Sequence, residues 1–186
     1  VKGEGGVGIL SGVTSLAVGF YHSLAVTSNG LYSWGYNPYG ALGINSTTNS
    51  LTPIKVMGVG GTGELTGVTV VAAGAYVSLA LTPNGVYSWG QNNFGQLGIG
   101  NLNDQLSPAR VLGVGGSGFL TGITKIDVGA AHSVASSTSG VFSWGLNSLG
   151  QLGDGTTTDS SVPVQVLGVN GSGFRSEERR VGEGCR

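Results

Sequence analysis

Short apolar runs alternate with glycine- and asparagine-rich breaks along the whole chain, and none approaches the roughly 18 residues of a membrane span. Residues 56–110 show the pattern clearly. Val68 to Ala73 is an apolar, largely β-branched run closed by Gly74. Ser78 to Thr82 reads as a second strand. Pro83-Asn84-Gly85 follows as a tight turn, because Asn-Gly tolerates the positive φ of a hairpin. Val86 to Gly90 is the third strand, with Tyr87 and Trp89 on one face and Ser88 on the other. A loop rich in Gly and Asn runs from Gln91 to Gln105. Pro108 then leads into a fourth strand expected at Ala109 to Leu112, since Pro suits a strand's first residue or an edge. Gly113 to Gly118 closes the unit. Four short strands in this span predict one blade of a β-propeller.

The unit recurs every 55 residues: Trp34, Trp89 and Trp144 keep that step, as do Gly19, Gly74 and Gly129, and Pro53, Pro108 and Pro163. The chain divides into units of about 1–55, 56–110 and 111–165 and the start of a fourth at 166–174, with no insertion between them. The period predicts Leu-Thr-Gly at 175–177, after Leu65-Thr66-Gly67 and Leu120-Thr121-Gly122, but the chain has Arg175-Ser176-Glu177. Residues 175–186 are therefore read as a non-homologous charged tail of foreign origin, with a native tail as the alternative.

These residues carry a resemblance. Gly19-Phe20-Tyr21-His22-Ser23, Asn29-Gly30, Trp34-Gly35, Gly40-Ala41-Leu42-Gly43 and Pro53 resemble the regulator of chromosome condensation repeat. The later units repeat the pattern through Trp89-Gly90, Asn92 and Gly95-Gln96-Leu97-Gly98, and through His132-Ser133, Trp144-Gly145, Asn147 and Gly150-Gln151-Leu152-Gly153. Val77 departs from it, standing where the repeat has His. The resemblance covers residues 1–174. It implies an all-β, partial β-propeller: three four-stranded blades of a ring of roughly seven, truncated at both ends. Family functions range over nucleotide exchange on a small GTPase, ultraviolet sensing and inhibition of secreted β-lactamases.

Composition sharpens this picture. There are 37 glycines in 186 residues, which excludes long helices, because Gly costs a helix interior about 1 kcal/mol. Only 9% of residues are charged. Seven of those charges lie in residues 175–186, with the single cysteine, Cys185. The body has only Lys2, Lys55, Arg110 and Lys125 as cations, too few for a phosphate-binding stripe, so no nucleic-acid partner is expected. With no cysteine in the body, neither a disulfide framework nor a cysteine zinc site is expected there.

Gly58-Val59-Gly60-Gly61-Thr62-Gly63 satisfies a phosphate-cradling glycine pattern, but a β-branched run follows it and not a helix, so it reads as a connection between blades. His22 and His132 lack nearby ligand partners and read as buried, hydrogen-bonded blade residues. Trp34, Trp89 and Trp144 recur in every third strand and read as core. Light sensing in the family uses a Gly-Trp-Arg-His motif; Phe20-Tyr21, Ala75-Tyr76 and Ala130-Ala131 lack its Trp and Arg. The Asp154 to Asp159 loop is too sparse in ligands for calcium and reads as a solvated turn. No metal, cofactor or catalytic set is expected.

The units differ mainly in their loops. Phe20, Tyr21, Tyr36, Tyr39, Tyr76 and Phe94 occupy variable positions after strand-ending glycines, and aromatics suit interface anchors. The expected function is a non-catalytic protein-interaction module. Alternatives are an exchange-factor-like regulator of a small GTPase, or a bacterial secreted or surface binding or inhibitor protein. The first alternative lacks a counterpart to the exchange factor's β-wedge insertion; the second rests on the low-charge, Ser/Thr/Asn/Gly-rich body. Partners are expected to be proteins, with no membrane insertion. Three blades are also expected to self-associate through exposed end faces.

Overall fold

The computed structural model describes residues 1–169. The tail at 175–186 lies outside the described residues. Twelve strands form three separate four-stranded antiparallel sheets. The first blade holds β1 (Val13–Val18), β2 (His22–Thr27), β3 (Gly30–Gly35) and β4 (Ser50–Lys55). The second holds β5 (Val70–Ala73), β6 (Val77–Thr82), β7 (Gly85–Gly90) and β8 (Gln105–Arg110). The third holds β9 (Ile123–Val128), β10 (His132–Ser137), β11 (Gly140–Gly145) and β12 (Ser160–Gln165). Each sheet is a meander in sequence order, and the first strands of neighbouring blades lie against one another.

The turn chemistry explains the second hairpin of each blade. Thr27 Oγ1 accepts the Asn29 N–H at 3.0 Å, Gly30 takes φ 129°, and Thr82 with Asn84 and Gly85 repeats the arrangement. The glycine-rich connections form short 3-10 turns, Val59–Gly61 and Val114–Gly116, leading into the next blade. The fourth strand differs from expectation. It is Gln105–Arg110, so Pro108 lies inside it rather than before it. Among the described residues this strand pairs only with β7, with an irregular register between Ser88 and Gly90, and a proline at such an edge removes no required ladder bond.

The hydrophobic cores lie between blades. Leu24, Val26 and Leu31 of the first blade meet Val71, Ala80 and Trp89 of the second. Val77, Leu79, Leu81 and Val86 of the second meet Ala135, Phe142 and Trp144 of the third. Trp89 and Trp144 are fully buried, whereas Trp34 is only half-buried. That corrects the expectation that all three are core: a blade's tryptophan is buried by the blade before it, and among the described residues none precedes the first.

One polar joint recurs at both blade junctions. The Ala41 carbonyl accepts hydrogen bonds from Trp89 Nε1–H and Ser78 Oγ–H, each at 2.8 Å. The Gln96 carbonyl accepts the same pair from Trp144 at 2.9 Å and Ser133 at 2.8 Å. The adjacent Leu42 and Leu97 carbonyls are held from within their own blades by Ser33 and Ser88. Gly43 sits at φ 66°, and a Cβ there would lie 2.8 Å from Trp89 Nε1. Glycine is thus needed both for the turn and for the ring's approach.

His22 extends the first joint. Its Nε2 lies 2.9 Å from Ser78 Oγ. Ser78 gives its own proton to Ala41, so His22 donates from Nε2, and its buried Nδ1 has no partner among the described residues. Gly19 makes room for the ring, since a Cβ there would stand 2.5 Å from the imidazole carbon. Burial lowers the His22 pKa from 6.5 to about 4. His132 is half-buried and its ring hydrogen-bonds no described residue, unlike the expected buried and bonded histidine. Its counterpart of Ser78 would have to come from a blade beyond the third.

Two outcomes follow. Trp89→Phe should lower unfolding free energy by about 1–2 kcal/mol, through one lost hydrogen bond and some packing, while Trp34→Phe should change it by less than about 0.5 kcal/mol. Urea denaturation of both variants checks this. For His22, the folded pKa lies below the unfolded one, so the unfolded chain binds the extra proton between about pH 6.5 and pH 4. The stability that neutral His22 provides is complete above pH 6.5 and declines as pH falls through that window. His22→Val, the residue found at Val77, should flatten this part of the melting-temperature profile relative to wild type.

Candidate partner-binding surface

The loops on one edge of the blades gather aromatic rings. Phe20 and Tyr21 lie in the turn between β1 and β2, Tyr76 in the matching turn between β5 and β6, and Tyr36 and Tyr39 in the loop after β3. Tyr76 is the centre. Its ring stacks on Tyr21 at 5.6 Å with an interplanar angle of 22°. Tyr39 meets it edge-on at 5.0 Å, and Tyr36 is tilted at 6.3 Å. Tyr36 also meets Tyr21 at 5.8 Å, and Phe20 flanks Tyr21 at 6.3 Å. These separations are those of attractive offset and edge contacts. The patch spans two blades and stays open: Phe20, Tyr21 and Tyr36 are exposed, and Tyr39 and Tyr76 are half-buried.

The structure therefore brings together five of the six aromatic positions singled out in the sequence. Phe94 is half-buried and has no ring partner among the described residues. The reason is the next blade: Tyr39 reaches Tyr76, whereas the residue in the place of Tyr76 beyond Phe94 is Ala131.

Local structure holds the rings in place. The Tyr36 N–H bonds the Tyr21 carbonyl at 2.9 Å, which ties the two ring-bearing segments of the first blade. Asn37, fully buried, organises the loop that carries Tyr36 and Tyr39. Its Nδ2 donates to the Ser46 and Thr48 carbonyls at 2.7 and 3.1 Å, and its Oδ1 accepts the Leu42 N–H at 2.8 Å. Asn92 and Asn147 do the same in their own blades. This anchoring role was not assigned from the sequence, although the 55-residue recurrence of Asn37, Asn92 and Asn147 was the signal for it.

The electrostatics of the patch are neutral. Burial first, and then the neighbouring Tyr21, Tyr36 and Tyr39, raise the Tyr76 pKa above its ordinary value, so its hydroxyl stays protonated near neutral pH. The acidic loop residues bond their own loops. Asp104 and Asp159 accept the Asn92 and Asn147 N–H groups at 2.8 and 2.7 Å. Asp154 accepts from Thr156 and Asn147, and although burial opposes it, these bonds place its pKa below the ordinary value.

The sequence pattern described as the regulator of chromosome condensation (RCC1) repeat matches residues 28–81, 84–136 and 139–180, and a second pattern for the same repeat matches 13–41, 68–96 and 123–151. The chain is 36% identical over 157 residues to the ultraviolet-B receptor UVR8 of Arabidopsis thaliana, covering 83% of this chain and 34% of that protein. It is 33% identical over 165 residues to the human probable E3 ubiquitin-protein ligase HERC4, covering 86% of this chain and 15% of that protein. Among solved structures, Prp20p from Saccharomyces cerevisiae superposes with a TM-score of 0.70 at 25% identity, over 86% of this chain and 39% of that one. Human WBSCR16 superposes with a TM-score of 0.67 at 28% identity, over 82% of this chain and 37% of that one. The chain thus spans a minor part of each relative.

Proposed function

The chain belongs to the regulator of chromosome condensation repeat family, and we propose that its blades act as a non-catalytic scaffold that binds a protein partner through the Tyr76-centred patch. The observation that carries this reading is the convergence of five aromatic rings from two blades onto one open surface. Tyrosine gives a large, amphipathic contact area at little cost in side-chain entropy, and rings already packed on one another lose little more on binding. The loops bearing them are tied by Asn37 and by backbone bonds to a rigid sheet, the usual basis of a preorganised interface.

An exchange-factor-like role toward a small GTPase is the second reading. Its support is the similarity to Prp20p, a protein with binding properties to Gsp1p and histones. The matched part of the ligase relative HERC4 is 15% of its length, so its ligase activity gives no basis for reading an enzyme here. A secreted or surface location rests on composition alone.

The test is affinity capture followed by mass spectrometry, using immobilised wild-type chain, Tyr21→Ala/Tyr76→Ala, and Thr62→Ala as a control on an exposed inter-blade turn. Circular dichroism confirms that each is folded. A partner kept by wild type and Thr62→Ala but reduced at least tenfold by the tyrosine variant supports the patch. Equal capture by all three sinks it. A small GTPase as the principal partner, insensitive to the tyrosine changes, replaces it with the second reading.

A further inference from the structure

The two junctions inside the chain share one polar joint but differ at the end of the strands opposite the tyrosine rings. At the second junction, the hairpin that joins β6 to β7 closes onto the segment entering the third blade. The Val86 N–H bonds the Leu120 carbonyl at 3.4 Å, and a Cβ on Gly85 would lie 2.6 Å from that oxygen. Arg110 lies across this closed seam. Its guanidinium stacks 4.2 Å above the Phe119 ring and donates to the Asn84 carbonyl.

The first junction has Lys55 in the place of Arg110 and Glu64 in the place of Phe119. Its seam is open. No bond joins Leu31 to Leu65 among the described residues, and the nearest atom to a Cβ on Gly30 would be Glu64 Oε2, at 3.8 Å. A cleft of about 340 Å³ lies between residues 26–31 and 64–68, with both walls in the first two blades. Its floor is apolar, since Val26, Leu31 and Leu65 are buried there. Its rim carries the exposed Asn29 and Glu64. The Asn29 carbonyl, the counterpart of the Asn84 acceptor, receives no hydrogen bond from a described residue. Glu64 holds Lys55 Nζ through both oxygens, at 2.9 and 3.1 Å. That pair is exposed, so it is weak and exchangeable, and the carboxylate keeps lone pairs for a further donor. Glu4, which accepts the Tyr32 hydroxyl at 3.4 Å, sets a second carboxylate beside this single ammonium. The local charge is therefore negative.

We propose that this cleft receives an arginine side chain of a protein partner, which supplies from outside the guanidinium that Arg110 supplies at the second junction. Its methylenes lie on the apolar floor, and its guanidinium donates to the Asn29 carbonyl and to Glu64, in competition with Lys55. Arginine suits the site better than lysine, because a planar fork reaches two separate acceptors at once. The chain's own occupant of the equivalent place is also an arginine. The cleft lies at the other end of β2 from Tyr21 and does not rest on the tyrosine patch, so either reading can fail alone.

The test is titration of the isotope-labelled chain with N-acetyl-arginine amide, read by amide NMR shifts, with the lysine and citrulline analogues alongside. Saturable shifts are expected at Asn29, Gly30 and residues 64–67, with arginine tighter than lysine and no saturation by the neutral citrulline analogue. Glu64→Gln should weaken the arginine probe about threefold, and Lys55→Met, which removes the competitor, should strengthen it by about the same factor. Opposite signs at two paired positions are not what a general loss of structure produces. Lys55→Arg/Glu64→Phe, which copies the second junction, should abolish the shifts. Absence of saturable shifts at residues 64–67 overturns the proposal. So do shifts confined to Tyr21 and Tyr76, which would place the guanidinium on the rings, or equal binding of the citrulline analogue.

Discussion

Everything in this fold depends on one backbone carbonyl per junction. Ala41 and Gln96 each present an oxygen to a tryptophan N–H and a serine O–H of the following blade. Apolar burial supplies most of the driving force between blades, but it is non-directional. The two-donor joint fixes the angle and height at which one sheet meets the next. A buried indole N–H left without an acceptor would cost more than a formed bond contributes, so slippage between blades is penalised at each junction. The Gly43 and Gly98 turns exist to let the rings reach that oxygen: a side chain at either would lie within 2.8 Å of a tryptophan.

The tyrosine patch is a consequence of the same joint. Tyr21 and Tyr76 occupy one repeat position in successive units, 55 residues apart. They stack at 5.6 Å because the blades are locked in register. A looser junction would hold the same residues without holding the same surface. The patch is also local to one junction, because Ala131 replaces the ring that would continue it.

Much of this was legible in the sequence, because a strict period repeats each signal three times. The strand order, the Asn-Gly hairpins and the recurrent tryptophans followed from it. The fourth strand was placed late because Pro108 reads as a strand opener, while an irregular edge tolerates it within the strand. The key acceptor was invisible for a different reason. Any residue supplies a carbonyl, so Ala41 and Gln96 carry no shared side-chain mark. Phe94 was grouped with the patch because aromatic character belongs to one residue, whereas clustering belongs to a pair, and its partner position holds Ala131. Trp34 and His132 look like their buried counterparts in sequence and differ only because burial comes from a neighbouring blade.

The polar groups of the blades serve mainly to hold their loops and joints. Many serine, asparagine and aspartate side chains are committed to the backbone. Ser33, Ser88 and Ser143 bind the carbonyls of their own loops, and Ser78 and Ser133 bind those of the blade before. Asn37, Asn92 and Asn147 satisfy three or more loop groups apiece. Asp104 and Asp159 cap the same loops. His22, pushed toward neutrality by burial, donates to a structural serine. The variable, exposed rings are different: their removal leaves both junction carbonyls and their donors intact. Such surfaces can diverge between units without disturbing the joint, which is the physical reason a repeated blade can serve as a platform for unlike partners.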